Sequence, residues 1–435
     1  MKEQIHTKRW IKLAVMLLSG LLAFTACQED EDSVTPEKSS FEISISGIIK
    51  DCYEGYLPQL PLYFVYVRMH DLPEDEKIVS WGSCVSSRNT MPDMRDKSNE
   101  LEAKDIDIVR DWDWASGEDL IYQSGIYDKL IPGKTYYVRG FVKTTKGTYL
   151  TPNVETITPD VSLLHPDTME ERREIPVVFH LFPDKSGNAL DAQFVDDLVA
   201  QANLVYRNAW GLSEGADAGI RFVLAEGKDY ERPGVHRISV PVTIDIDEFD
   251  ENPGLFLRPE WATDPTQALN VWVAPIKNYS SVYVKELAGF ARFPYFDTAD
   301  KLEGCGEYSE SLSWADKVYG IVLNSNPGFT MEDPCVFAHE AGHSLGLYHI
   351  FEEDYCDDTP IYDRLAYMDV YSDYMALRPL PDSDDFTLST NVMDYYISFM
   401  LCVTPQQCRR IAHTLRYGYF LPGGKTDVDK KTMIF

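Results

Sequence analysis

From His339 to His349 the chain reads His-Glu-Ala-Gly-His-Ser-Leu-Gly-Leu-Tyr-His, and this stretch restricts the fold more than any other. A helix advances about 100° per residue, so His339 and His343 stand on one face and can aim ring nitrogens at one point about 2.0–2.1 Å away. Glu340 projects beside that point, where it can act as a base toward water without ligating. Gly346 is free to adopt a left-handed conformation, which ends the helix and brings His349 back from another direction. Three imidazoles and one open position describe a catalytic zinc site. Upstream, Asp333 is a plausible N-cap, Pro334 suits the first turn, and Cys335 to Ala338 supply an apolar lead-in.

The extended pattern resembles the metzincin signature, whose members carry a methionine-containing turn downstream; Asn391-Val392-Met393-Asp394-Tyr395 fits that part. The chain resembles the pappalysin family in particular. The segments that carry the likeness are Cys356-Asp357-Asp358-Thr359-Pro360, NVMDY, and Thr404-Pro405-Gln406-Gln407. Four upstream runs, Ile175 to Phe182, Ala218 to Glu226, Leu269 to Pro275 and Leu287 to Pro294, resemble successive strands of that family. The likeness spans roughly Glu174 to Tyr419.

It implies an α+β metzincin catalytic domain: a mixed sheet with an active-site helix above, and a lower part after Gly346 that is poorer in regular structure. It implies zinc (Zn2+) on His339, His343 and His349, Glu340 as general base, Tyr395 as hydrogen-bond donor to the oxyanion, and Met393 as a shaped floor. It also implies a disulfide, for which Cys356 and Cys402 are the best pair; Cys305 with Cys335 and Cys52 with Cys84 are weaker ones. Structural calcium (Ca2+) belongs to this half of the family, and Asp357 and Asp358 lie in an oxygen-rich cluster that suits it. A solvated acidic loop is the other reading. Some pappalysins are held latent by a pro-segment cysteine, a part open here to Cys52 or Cys84; plain structural roles are the alternative.

Residues 1–26 have a basic start (Lys2, Lys8, Arg9, Lys12), an apolar core from Leu13 to Phe24, and then Thr25-Ala26-Cys27. This is a secretory signal ending in a lipobox, so Cys27 becomes the acylated first residue of a bacterial outer-membrane lipoprotein. The acidic run Gln28 to Asp32 reads as a solvated tether across 27–40. It also resembles the export signals of Bacteroidetes-type surface lipoproteins, which places the protein at the cell surface or released from it. The full chain carries −30; without the signal, with four basic residues and one acid, about −33 remains. Such a charge repels phosphate backbones and speaks against a nucleic-acid partner. The membrane is met through the lipid anchor only.

From residue 41 to 160 the pattern is β-rich: FEISISGII, PLYFVYVRM, KIVSWGSCVSS and TYYVRGFVKTT are full of Val, Ile, Tyr, Phe and Thr, with turn residues between them. Leu130 to Arg139 resembles the strand entry of a fibronectin type III module, in which a tyrosine locks a corner of the sandwich. An all-β sandwich at 41–160 is therefore expected, then a linker at 161–173, the catalytic domain at 174–420 and a tail at 421–435. In Ala192 to Tyr206, Phe194, Val195, Leu198, Val199, Ala202 and Val205 form one apolar helical stripe.

The resemblance implies a secreted zinc endopeptidase acting on protein or peptide substrates. A surface adhesin with a silent zinc fold is the rival reading. Pappalysins that prefer arginine place an aspartate just after the Met-turn tyrosine, whereas Tyr396 to Met400 contains no acid. An apolar preference after the scissile bond is expected instead.

Overall fold

A computed structural model of the chain describes residues 41–425 apart from 54–56, 94–100, 103–113, 117–118, 128–129, 184–186, 188–189, 278–286, 326–334, 363, 365–376, 381–385 and 396–397. Cys27, the signal and the tether lie outside the described residues. Among those described, no helix is long and apolar enough to cross a membrane.

The first part is all β. Strands β1 (Glu42–Tyr53), β2 (Leu57–His70), β3 (Ile78–Ser86), β4 (Leu101–Glu102), β5 (Trp114–Ser116), β6 (Asp119–Tyr127), β7 (Tyr136–Thr144), β8 (Thr148–Leu150) and β9 (Glu155–Ile157) form two antiparallel sheets. One has the order β1-β2-β6-β5; the other is β4-β3-β7-β8 with β9 also paired to β7. Alternate residues of β2, Tyr63, Val65, Val67 and Met69, are buried, as a strand with one covered face requires. Val65 packs with Val85, Tyr136 and Val138 of the second sheet, while Val67 and Met69 meet Val142 and Tyr149. The Tyr136 hydroxyl accepts the Ile131 N–H at 3.0 Å, which ties the turn before β7 to the strand.

The second part is mixed. Its main sheet is built from β10 (Arg173–Leu181), β11 (Ile220–Leu224), β12 (Val235–Arg237), β14 (Leu269–Ala274), β16 (Gly289–Ala291) and β19 (Ile321–Asn324). The path runs β11-β10-β14-β19-β16, with β12 also paired to β10. All pairings are parallel except that of β16, which runs antiparallel to β19 at the sheet edge. Three two-stranded pairs lie apart from it: β13/β15 (Ile244–Asp245 with Ile276–Lys277), β17/β18 (Tyr295–Phe296 with Gly306–Glu307) and β20/β21 (Leu377–Pro379 with Phe386–Leu388).

Both faces of the sheet are covered, which explains why its inner strands β14 and β19 are buried along their whole length. Helices α1 (Phe194–Tyr206) and α4 (Val336–Ser344) lie on one face, where Phe179, Val271 and Val273 meet Leu198, Ala202 and Phe337. The short α2 (Ile246–Glu251) and α3 (Trp314–Val318) cover the other, around Trp272, Phe249 and Val318. The stripe expected on 192–206 is the buried face of α1. His180 and His236 pair with each other, Nδ1 to Nδ1 at 2.9 Å. The His180 Nε2–H donates to Asn270 Oδ1 at 2.8 Å, so β10, β12 and β14 are pinned in register. Burial pushes the His180 imidazole down to about 3, so the ring is neutral.

After Gly346 come the short β20/β21 pair and then a 13-residue helix, α5 (Pro405–Tyr417). Thr404 caps it: its hydroxyl accepts the Gln407 N–H, and the Gln407 side chain accepts the Thr404 N–H.

Candidate metal centre

Helix α4 carries His339, Glu340 and His343, and every residue in it is buried. Its N-cap position is Cys335, with no side-chain cap; the expected Asp333 and Pro334 lie outside the described residues. At its far end Gly346 has φ +89°, and the Leu347 N–H reaches back to the Gly342 carbonyl at 2.9 Å. A Cβ on Gly346 would lie 2.7 Å from Thr414 Oγ1 of α5, so both conformation and space require glycine there. Arg410 of α5 holds the same turn, its Nε–H donating to the Gly346 carbonyl at 3.0 Å. His349 is thereby returned to the first two histidines, and one nitrogen from each ring lies within 4.8 Å of the others.

The second nitrogen of each ring is tied. His339 Nδ1–H donates to the Val392 carbonyl at 2.7 Å, His343 Nδ1–H to the Leu347 carbonyl at 2.8 Å, and His349 Nδ1–H to Glu352 Oε2 at 3.3 Å. These bonds fix the tautomers, leaving Nε2 unprotonated on all three rings. Burial, followed by the neighbouring imidazoles, holds His343 and His349 well below the ordinary histidine range. The Nε2 atoms of those two rings are 3.1 Å apart. Two nitrogens bound tetrahedrally at 2.0–2.1 Å would stand about 3.3 Å apart, so the donor set fits zinc.

Glu340 is buried, its Oε2 has no hydrogen-bond partner, and burial pushes its carboxyl up to about 8. Edge strand β16 passes beside it: a Cβ on Gly289 would lie 3.0 Å from Glu340 Cγ and 2.9 Å from the Val322 carbonyl. The Tyr395 ring stands 4.6 Å from the His349 ring and 5.9 Å from that of His339. Met393 is fully buried under α4, and a Cβ on Gly342 would lie 2.3 Å from its sulfur. The first glycine of the histidine stretch is therefore a packing requirement that periodicity alone does not reveal. With Met393 unable to swing into solvent, Gly342→Ala should cost about 1–3 kcal/mol through overpacking. A thermal melt of the two proteins checks this; an unchanged midpoint would mean that Met393 does not press on the helix.

The three segments that carried the family resemblance converge below this floor. Asn391 Oδ1 accepts the Met393 N–H at 2.9 Å, and its amide pairs with Gln407 in both directions. Asp358 accepts from the Thr404 hydroxyl at 2.6 Å and from the Gln406 N–H at 2.8 Å, and the Asp357 N–H donates to Gln406 Oε1. These contacts give Asp357 and Asp358 a structural part at the start of α5, and nothing in the structure supports calcium there. Asp358 spends both oxygens on the start of α5, Asp357 is exposed, and among the described residues only the three histidines gather at metal-ligand spacing.

The disulfide expectation is corrected. Cys356 and Cys402 are free thiols; Cys402 Sγ faces the Thr390 carbonyl at 3.7 Å. Cys305 is free as well, so it does not pair with Cys335. Cys84 is buried in β3, with its thiol against the Arg139 carbonyl. The side chain of Cys52 lies outside those described.

No family model matches the chain, and no curated protein matches it. Among solved structures it is similar to mirolysin in complex with compound 9, at TM-score 0.39 and 20% identity over 57% of this chain and 92% of that one. It is also similar to Tannerella forsythia mature mirolysin in complex with a cleaved peptide, at TM-score 0.37 and 21% identity over 57% of this chain and 93% of that one. Likeness at this level leaves the reading of the site to its own geometry.

Proposed function

We propose that the protein is a zinc-dependent endopeptidase. The observation that carries this is the pairing of three imidazoles, all with Nε2 directed at one point, with a buried carboxylate that has no partner on Oε2. A zinc ion held there supplies Lewis acidity, which acidifies water and polarises an amide carbonyl. Glu340 takes the proton of the attacking water and passes it to the leaving amine. Tyr395, next to His349, donates a hydrogen bond to the oxygen that becomes negative. Strand β16, at the sheet edge beside Glu340, offers its backbone to an extended peptide by strand addition.

The segment that follows Tyr395 has no acid as far as Met400. Cleavage before apolar residues is the expected preference; a peptide library enriched in Arg or Lys at that position would overturn it. Lipidation at Cys27 would carry the enzyme on the outer membrane, with the N-terminal pair of sheets as a fibronectin-like spacer or docking unit.

An adhesin would have no use for a buried unpaired Glu340. Purified protein incubated with casein or a quenched peptide library should show hydrolysis that a chelator abolishes, zinc restores, and Glu340→Ala lacks. Absence of any chelator-sensitive cleavage would favour the adhesin.

A further inference from the structure

Arg364 belongs to none of the segments that define the site, yet its guanidinium lies buried against the rings that border the metal ligands. Its Cζ sits 4.9 Å from the centre of the Tyr395 ring and 5.3 Å from that of Phe351. Phe351 is stacked on His349, with ring centres 4.9 Å apart and planes 9° apart, and stands 4.8 Å from Tyr395 at a steep angle. His349, Phe351 and Tyr395 therefore form a three-ring cluster, and the guanidinium packs on two of its members. The cation is held in turn: Nη1 donates to the Tyr362 hydroxyl at 3.4 Å and lies 3.7 Å from Asp394 Oδ1. That same Oδ1 accepts the Tyr395 backbone N–H at 2.7 Å. Backbone and ring of Tyr395 are thus gripped by two members of one ion pair.

We infer that Arg364 is a positioning residue for Tyr395, clamping its ring at the angle from which the hydroxyl reaches the reacting carbonyl. The inference rests on the peptidase reading above and goes beyond it. Physically, a ring attached at one half-buried position can turn about χ1 and χ2, and a guanidinium face opposes that rotation at both rings it touches. Lysine would keep the charge but lose the planar contact, so the clamp depends on shape as well as on sign.

The test is a double-mutant cycle on zinc-loaded protein, with zinc content and melting temperature recorded for each variant. Arg364→Met should lower kcat about 10²-fold, on the scale of losing one oxyanion donor, with KM within about two-fold. Arg364→Lys should fall in between and serves as the second variant if the first does not fold. The double variant Arg364→Met, Tyr395→Phe should be no slower than Tyr395→Phe alone, because each change removes the same contribution. A purely structural arginine would instead give losses that multiply, and that result overturns the inference.

A second arm needs neither zinc nor turnover. With 3-fluorotyrosine incorporated, the Tyr395 resonance, assigned by its absence in Tyr395→Phe, should shift or broaden in Arg364→Lys. An unchanged line refutes the clamp, whereas wild-type protein without chelator-sensitive cleavage refutes the peptidase reading alone.

Discussion

Replacing Glu340 by glutamine is expected to abolish peptide hydrolysis, lowering kcat by about 10³-fold or more while zinc stays bound at one ion per chain. General-base contributions alone reach roughly 10²–10⁴, and the neighbouring Glu352 carboxylate is engaged with His349 Nδ1, the ring nitrogen turned away from the ligand set. The shape is conserved, so the loss reads chemistry and not packing. Zinc content by atomic absorption beside turnover of a quenched peptide separates the two; a variant that retains more than a tenth of the activity would remove Glu340 from the mechanism.

The same substitution has a second signature in zinc-free protein. A carboxyl at about 8 when folded, against its ordinary 4.5, holds its proton more tightly in the folded state. Stability from this group is therefore full below about pH 4.5 and is lost as pH rises toward about 8. Glutamine is neutral throughout, so Glu340→Gln should be more stable than wild type at pH 8 and nearly equal at pH 4.5. Urea unfolding at the two pH values measures the difference, and equal gains at both would mean that Glu340 is not desolvated.

What could be read from the sequence was whatever depends on local spacing. His339, Glu340 and His343 follow helical period, and Gly346 marks a left-handed stop, so the ligand set needed no tertiary information. Strands at 175–182, 218–226 and 269–275 were legible through the family resemblance, and 269–275 also fits a doubly covered strand because all of Leu269–Ala274 is buried. The remainder depends on contacts between distant residues. The Asn391–Gln407 pairing that fixes the turn under the metal joins side chains on separate segments, and Arg410 reaches the Gly346 carbonyl from α5.

The disulfide expectation failed for the same reason. Counting thiols and carboxylates gives their number but not their partners: the acids after Cys356 serve to start α5, and the thiols face carbonyls. One signal was available and would have found α5. Thr404 followed three residues later by Gln407 is a capping-box pattern, and the helix it opens carries both Gln407 and Arg410.

Asp394 shows most clearly what local spacing conceals, and its removal should have the largest effect on stability. The residue has no solvent exposure. Its two oxygens accept from the Tyr362 and Ser389 hydroxyls, the Tyr395 N–H and the Arg378 Nε–H, with Arg364 3.7 Å away. Arg378 is itself fully buried. A buried ion pair contributes little net stability against an apolar substitute, but removing one partner leaves the other charge desolvated and costs about 3–5 kcal/mol. Asp394→Ala does this to Arg378 and leaves two hydroxyls without their acceptor as well. Set against a total of roughly 5–15 kcal/mol for a typical folded domain, the variant should be close to unfolding at physiological temperature. Asp394→Asn keeps the shape and one acceptor oxygen but loses the charge, so its cost should be smaller than that of alanine. The ordering wild type, Asn, Ala in urea midpoint is the expected result. Because Asp394 lies between Met393 and Tyr395, folded Asp394→Asn should also turn over peptide more slowly than its stability loss explains. An alanine variant within about 1 kcal/mol of wild type, below the usual cost of a buried hydrogen bond to a charged group, would mean that the two arginines are not held by this carboxylate.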